Sequence, residues 1–232
     1  SLRADRHGRT SATWFQLKDI PALLPQLAEI DTLVIARVRY DAEVARLIAT
    51  ARSHGVRILF DCDDLVFDTR YVHLILDVLA QGKSHEDLDW WFAYIGRIEA
   101  TAKLCDGGIT TNECLAERME EVVRGPVCIV PNFLNRLQQQ VSDHLLAAKR
   151  IRQYVSDGPL TLGYFSGTPS HKQDFEIVIK SVCRILDRHP DVRFRIVGFM
   201  DDIGELAQYS GRVDRLPLHD WMNLQRLIAE VE

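Results

Sequence analysis

Three acidic residues in four positions, Asp61, Asp63 and Asp64, close the apolar run Val56–Phe60, and Asp68 follows shortly after. Carboxylates crowded at the end of a strand can accept hydrogen bonds from sugar hydroxyls, take a proton as a general base, or hold a cation. Like charges this close are costly without a partner, which favours function over a solvated turn that caps the next helix. A second segment, Gly163 to Phe175 (GYFSGTPSHKQDF), runs from a strand through small residues into a helix. Backbone N–H groups at such a bend, with the positive end of the helix behind them, suit a diphosphate. Gly167 lets the backbone approach a ligand closely. Ser166 and Thr168 offer hydroxyls, and Lys172 with His171 offers positive charge. The same residues also fit an ordinary strand-to-helix loop capped by Ser170, since the segment is neither G-x-G-x-x-G nor a Walker loop.

The elements that must position these groups alternate along the chain. Strands are expected at Thr32–Val38, Val56–Phe60, Gly107–Thr110 and Val127–Val130. After a break they resume at Leu160–Phe165, Val192–Val197 and Val213–Leu216. Helical spacing lies between them at Asp41–Ser53, Tyr71–Ala80, Glu86–Leu104, Asn112–Val123, Gln173–Arg188, Asp202–Tyr209 and Asp220–Val231. Helices between short apolar strands imply parallel sheets covered on both faces, so the fold class is α/β with two Rossmann-like halves. The polar stretch from Pro131 to Pro159 interrupts the rhythm and marks a boundary. It divides the chain into a first domain at 1–135, a linker or crossover at 136–159, and the first half of a second domain at 160–232. The aromatic run Trp90-Trp91-Phe92-Ala93-Tyr94 is expected to pack in a core, with a sugar platform or a membrane-facing patch as the alternatives.

Composition narrows the choice. The chain has 232 residues, 47% hydrophobic and 26% charged, with a net charge of −5. It lacks the basic face of a nucleic-acid binder, so any phosphate site must be local. The five cysteines are odd in number and widely spaced, and read as reduced, buried thiols of a cytosolic protein rather than a disulfide framework or a zinc site. No apolar run approaches the roughly 20 residues of a membrane span.

The run Asp61-Cys62-Asp63-Asp64-Leu65-Val66-Phe67-Asp68-Thr69 resembles the D-x-D-G-T-L-x-D opening of haloacid dehalogenase-type phosphatases. That resemblance implies an Asp61 nucleophile, an Asp63 acid/base and Mg²⁺, with Thr110 or Thr111, Lys172 and Asp201-Asp202 as later motifs. The departures are plain: Asp64 stands where the family has glycine, Leu65 stands where it has threonine, and the motif falls on the second strand unit.

A broader match covers most of the chain from about residue 30 onward. Ile58 to Phe67, Gly108 to Ala116 (GITTNECLA), Ile129-Val130-Pro131-Asn132-Phe133, Leu162 to Phe175, Val192 to Gly198 and Arg215 to Trp221 follow one another in a characteristic order. Together they resemble family 4 (group 1) glycosyltransferases of bacterial cell-surface polysaccharide clusters. The resemblance implies a GT-B fold, with a nucleotide-sugar donor on the second domain and a glycan or lipid-linked acceptor mainly on the first. It implies retaining transfer without an obligatory metal or other cofactor, at the cytoplasmic side or the inner face of the membrane. By position, Ser166, Gly167, Thr168, His171 and Lys172 match the donor diphosphate loop, and Gly198, Leu216 and Pro217 match the nucleobase region. Asp63 and Asp64 match the cleft-facing polar position of relatives. The choice among UDP, GDP and dTDP stays open. The family's E-x₇-E motif would fall beyond Glu232 and its first glycine-rich loop before the present start, so the resemblance implies a fragment that transfers sugar poorly alone. A nucleotide- or sugar-binding module without catalysis is the non-enzymatic alternative.

Overall fold

The computed structural model describes residues 2–3, 10–78, 84–154, 158–167, 172–200 and 203–231. A short antiparallel ribbon, β1 (Leu2–Arg3) with β2 (Ser11–Ala12), comes first. A parallel sheet follows, in order β3 (Thr32–Ala36), β4 (Arg57–Asp61), β5 (Gly107–Thr110), β6 (Val127–Ile129). Helices α2 (Ala42–Ser53), α3 (Val72–Val78), α4 (His85–Ala102) and α5 (Glu113–Glu120) connect its strands. Three of these helices start where the sequence supplies a capping oxygen: Asp41 accepts from the Val44 N–H, Ser84 from that of Asp87, and Asn112 from that of Leu115. Gly55, at φ +74°, supplies the left-handed residue that stops α2 before β4 begins.

Periodicity explains the burial. Val44, Leu47, Ile48 and Ala51 recur at helical spacing on α2 and pack with Ile35, Ile58 and Phe60 of the sheet. Short α1 (Ile20–Leu23), with 3₁₀ turns at 17–19 and 24–29, adds Ile20, Leu23 and Leu27 to this core. The sequence reading assigns nothing there, because Pro21 and Pro25 cut the helical pattern into single turns.

The second sheet is also parallel, in order β7 (Thr161–Ser166), β8 (Arg193–Gly198), β9 (Val213–Leu216). Helix α7 (Lys172–Arg188) joins β7 to β8 and buries Phe175, Ile179, Val182, Cys183 and Leu186 against Phe194 and Ile196. The expected helix at Asp202–Tyr209 is a 3₁₀ stretch, Gly204–Arg212, with Tyr209 off helical geometry. Contacts divide the chain between Asn132 and Phe133. Helix α6 (Arg136–Ile151), inside the segment read as a linker, belongs to the second unit. It packs on α8 (Trp221–Ala229), where the Gln225 side-chain amide donates to the Gln138 carbonyl at 3.2 Å and the Lys149 ammonium donates to the Val231 carbonyl.

All five thiols are unbridged. Cys62, Cys105 and Cys183 are buried as expected, whereas Cys114 and Cys128 are exposed, because they fall on the solvent side of α5 and of edge strand β6. Burial pushes the Cys62 thiol up to about 11 and the Cys105 thiol up to about 12. The thiolate is the reactive form. A disulfide reagent near pH 8 is therefore expected to titrate two thiols rapidly in the native protein and all five only in denaturant. Rapid reaction of a third would contradict this burial.

Candidate functional site

Both units place their candidate residues at the carboxyl ends of parallel strands, where α/β proteins bind ligands. In the first unit, sheet-like hydrogen bonding continues one residue past the strands. The Arg37 N–H donates to the Asp61 carbonyl (2.9 Å), the Cys62 N–H to Ile109 (3.1 Å), and the Val130 N–H to Thr110 (2.7 Å). The buried Thr110 hydroxyl donates to the Cys62 carbonyl at 2.7 Å. Arg37 then sits at φ +50°, an uncommon conformation for a residue with a β-carbon. Its guanidinium pairs with Asp64 at 2.5 Å. The Cys62 thiol donates to the Asp64 carbonyl at 3.2 Å.

The three acids are therefore not equivalent. Asp64 is neutralised by Arg37. Burial, then the neighbouring Asp63, raise Asp61 above the usual carboxylate range. Asp63 is exposed and makes no ion pair among the described residues. Burial alone would lower the Arg37 guanidinium, but Asp64, Cys62 and the Tyr94 phenol together raise it. Arg37 is not among the residues expected from sequence, although Arg37-Val38-Arg39 directly after a strand carries the signal.

The far end of the acidic loop is fastened down. Phe67 is fully buried and meets Phe60 edge to face, with ring centroids 6.2 Å apart. Asp68, only 2% exposed, accepts from the Arg70 N–H and takes the Arg70 guanidinium in a forked pair at 2.5–3.0 Å. Arg70 also reaches Glu121 at 2.7 Å. Glu99 of α4 accepts from the Thr69 N–H at 3.0 Å.

The aromatic run follows the expected core packing only at Trp91 and Tyr94, which pack against Val72, Leu76 and Ile95. Trp90 is 55% exposed and Phe92 49%. The buried face of α4 is Ile95, Ile98, Thr101 and Ala102, one to three turns further along. Trp90 stacks on Tyr94, with centroids at 5.3 Å and planes 19° apart, and meets Trp91 edge-on. The Arg39 guanidinium lies 5.1 Å from the centre of the Tyr94 ring.

In the second unit, β7 ends at buried Ser166, the bend residue Gly167 is exposed, and α7 begins at Lys172. A side-chain carbon at Gly167 would meet nothing within 4 Å among the described residues. Thr168, His171 and the Lys172 side chain lie outside the described residues. Gly198, at φ +105°, is the register partner of Ser166, and a side-chain carbon there would come within 1.9 Å of the Ser166 carbonyl oxygen. Gly198, Leu216 and Pro217, expected near one another, line a single open groove of about 380 Å³ with Phe199, Arg215 and Leu218. Phe199 and Leu218 are about half exposed, which leaves apolar surface in the groove. Arg215 donates to the Met200 carbonyl at 2.5 Å and ties the two strand exits together.

Asp61, Asp63 and Thr110 or Thr111 are the parts of the phosphatase-like arrangement that fall on described residues. The Thr110 hydroxyl is committed to a backbone carbonyl, and Asp64 is committed to Arg37. Among the described residues no group of three or more His, Cys, Asp or Glu side chains could hold a metal ion. Asp201 and the Lys172 side chain lie outside those residues. No helix among the described residues is long and apolar enough to cross a membrane.

No family model and no curated protein sequence matches the chain. Several solved structures are similar to it. One is a UDP-GlcNAc 2-epimerase from Neisseria meningitidis bound to UDP-GlcNAc, at 11% identity over 97% of this chain and 61% of that one, TM-score 0.47. Another is Phytolacca americana UGT2 complexed with UDP-2fluoro-glucose and pterostilbene, at 16% identity over 88% and 52%, TM-score 0.43. A third is a UDP-glucosyltransferase from Polygonum tinctorium, at 14% identity over 88% and 53%, TM-score 0.42. The chain spans about half to three-fifths of the length of these structures.

Proposed function

We propose that this chain is part of a GT-B glycosyltransferase that moves a sugar from a nucleoside-diphosphate donor to a glycan or lipid-linked acceptor in cell-surface polysaccharide synthesis. One observation carries the reading. Ser166, Gly167 and the start of α7 stand at the same sheet edge as Gly198, whose backbone is pressed against Ser166, and as the groove of Phe199, Leu216 and Pro217. A flat nucleobase suits the half-apolar groove, and a diphosphate suits the bend and the amino end of a 17-residue helix.

In this reading the bond between the anomeric carbon and the β-phosphate oxygen breaks, and the nucleoside diphosphate leaves with the electron pair. Backbone N–H groups after Ser166, the Thr168 hydroxyl, and Lys172 with His171 stabilise it, so the reading needs no metal. The acceptor hydroxyl oxygen forms the new bond, with retention of configuration, and its proton passes to the leaving phosphate. Asp63 accepts a hydrogen bond from the acceptor, and Asp64 holds Arg37 beside it. The reaction takes place on the cytoplasmic side, with peripheral attachment to the membrane face.

Calorimetric titration with UDP, GDP, dTDP and ADP tests this. One of the first three is expected to bind with saturation, and Lys172→Ala to weaken it by about 1–3 kcal/mol, roughly five- to 150-fold in Kd. Binding of none of them, or an unchanged Kd in the variant, would overturn the donor site.

A further inference from the structure

The exposed aromatic surface of α4 has no use in the donor chemistry, and its neighbours are informative. Trp90 leaves more than half of its surface to solvent while its ring is held parallel to Tyr94. Tyr94 is anchored from below, packing against both the sheet core and the cluster of Val72, Leu76 and Ile95. The Arg39 guanidinium faces the Tyr94 ring, and Arg39 makes no ion pair among the described residues. The loop carrying Arg39 is itself fixed to α4, since the Tyr40 N–H donates to the Arg97 carbonyl (2.8 Å) and the Arg97 guanidinium donates back to the Tyr40 carbonyl (2.7 Å). Two residues earlier in that loop, Arg37 reaches Asp64, and Asp63 is adjacent and exposed.

An exposed ring stacked on Tyr94, which the Arg39 guanidinium also meets, matches one ligand chemistry. A pyranose presents an apolar face of C–H groups that packs on an aromatic face, whose π density attracts the slightly positive hydrogens. Its hydroxyls both donate and accept, which suits carboxylate and guanidinium partners together. We propose that Trp90 and Tyr94, with Arg39, Asp63 and the Arg37–Asp64 pair, form a carbohydrate platform that takes a neutral hexose unit of the acceptor. This rests on the transfer reading and deepens it, because it names the acceptor as a glycan. A bilayer is the disfavoured occupant: Glu86, Asp87 and Asp89 directly precede the aromatics on the same helix, where a surface-lying helix would carry Lys and Arg.

The test uses the whole chain against an array of neutral gluco-, galacto- and manno-oligosaccharides, with Kd values by calorimetry and nucleotide Kd measured in parallel. At least one oligosaccharide is expected to bind with saturation without nucleotide. Trp90→Ala should weaken it by about tenfold or more, and Trp90→Phe should keep it within about threefold. Both variants should stay cooperatively folded, Trp90→Ala losing no more than the about 0.5–1.5 kcal/mol of its ring contacts, and should keep the wild-type nucleotide affinity. An array without saturable binding, binding indifferent to Trp90→Ala, or Trp90-dependent capture by phosphatidylglycerol vesicles instead would each overturn the platform. Glycan binding without any nucleotide binding would sink the transfer reading and leave the platform standing.

Discussion

Gly198→Ala is expected to destabilise the second unit by about 3–5 kcal/mol and to abolish nucleotide binding with it. Two effects add. At φ +105° an L-residue is strained whatever space surrounds it. The added carbon would also lie 1.9 Å from the Ser166 carbonyl oxygen and 2.9 Å from its carbonyl carbon, so backbone has to move. Relief by rotating a flexible side chain is closed off, because the obstacle is the neighbouring strand. Ser166 and Gly198 are register partners, and β8 is the central strand of its sheet, so displacing it loosens the ladders to both β7 and β9. Gly167→Ala is the informative comparison, since its new carbon meets nothing within 4 Å. It should leave the melting transition almost unchanged while still obstructing a diphosphate at the bend. Hydrogen exchange of β7 and β8 amides, with calorimetric unfolding, separates the two. A Gly198→Ala protein within about 1 kcal/mol of wild type would show that the strands are not in this close contact.

The order of strands and helices could be read from sequence because each apolar run has the period of its element. Val44, Leu47, Ile48 and Ala51 declare α2, and Val192–Val197 declares β8 to within a residue. Elements go unmarked in sequence where that link breaks. The prolines of α1 erase its periodicity although Ile20, Leu23 and Leu27 are in the core. On α4 the aromatics imply burial by residue type, yet the apolar stripe that meets the core starts only near Ile95, and Trp90 and Phe92 lie on its exposed early turns. That Gly198, Leu216 and Pro217 belong to one region could be read only from the family resemblance, and they line one groove. The reason Gly198 must be glycine could not, because it depends on a carbonyl 32 positions earlier that only the register brings alongside. The Arg37–Asp64 pair spans 27 residues and two strands, and it sets Asp64 apart from Asp61 and Asp63, which make no ion pair among the described residues.

Asp68→Ala is expected to cost the first unit about 2–4 kcal/mol at pH 7 and less as the pH falls below about 4. The side chain is 3% exposed and satisfies several groups at once: the Arg70 N–H that opens the 3₁₀ turn at 69–71, and the Arg70 guanidinium through both oxygens. Burial alone would raise the Asp68 carboxyl, but the hydrogen bonds from Arg70 and its charge outweigh burial and hold it below its ordinary value of 3.8. A depressed value fixes the sign. The stabilisation is complete above about 3.8 and is lost as pH falls through the lower folded-state value, so wild type approaches the variant below about pH 4. Glu99 acts in the same direction. Its burial is outweighed by Lys103 and Thr69, and it clamps Thr69 to α4. Asp61 acts in the opposite direction, since burial and Asp63 raise it and its ionisation is a cost at neutral pH that acid relieves. Urea unfolding at pH 7 and pH 3 checks the claim; an equal penalty at both, or one under about 1 kcal/mol at pH 7, would show that the forked pair contributes no charge-dependent stability. The effect should extend to ligands, because the 61–68 loop is fixed at one end by β4 and at the other by Asp68 and Phe67. Releasing the second anchor frees the segment that aims Asp63, so Asp68→Ala should weaken glycan binding even in the fraction of molecules that stays folded, while leaving the nucleotide affinity of the second unit unchanged.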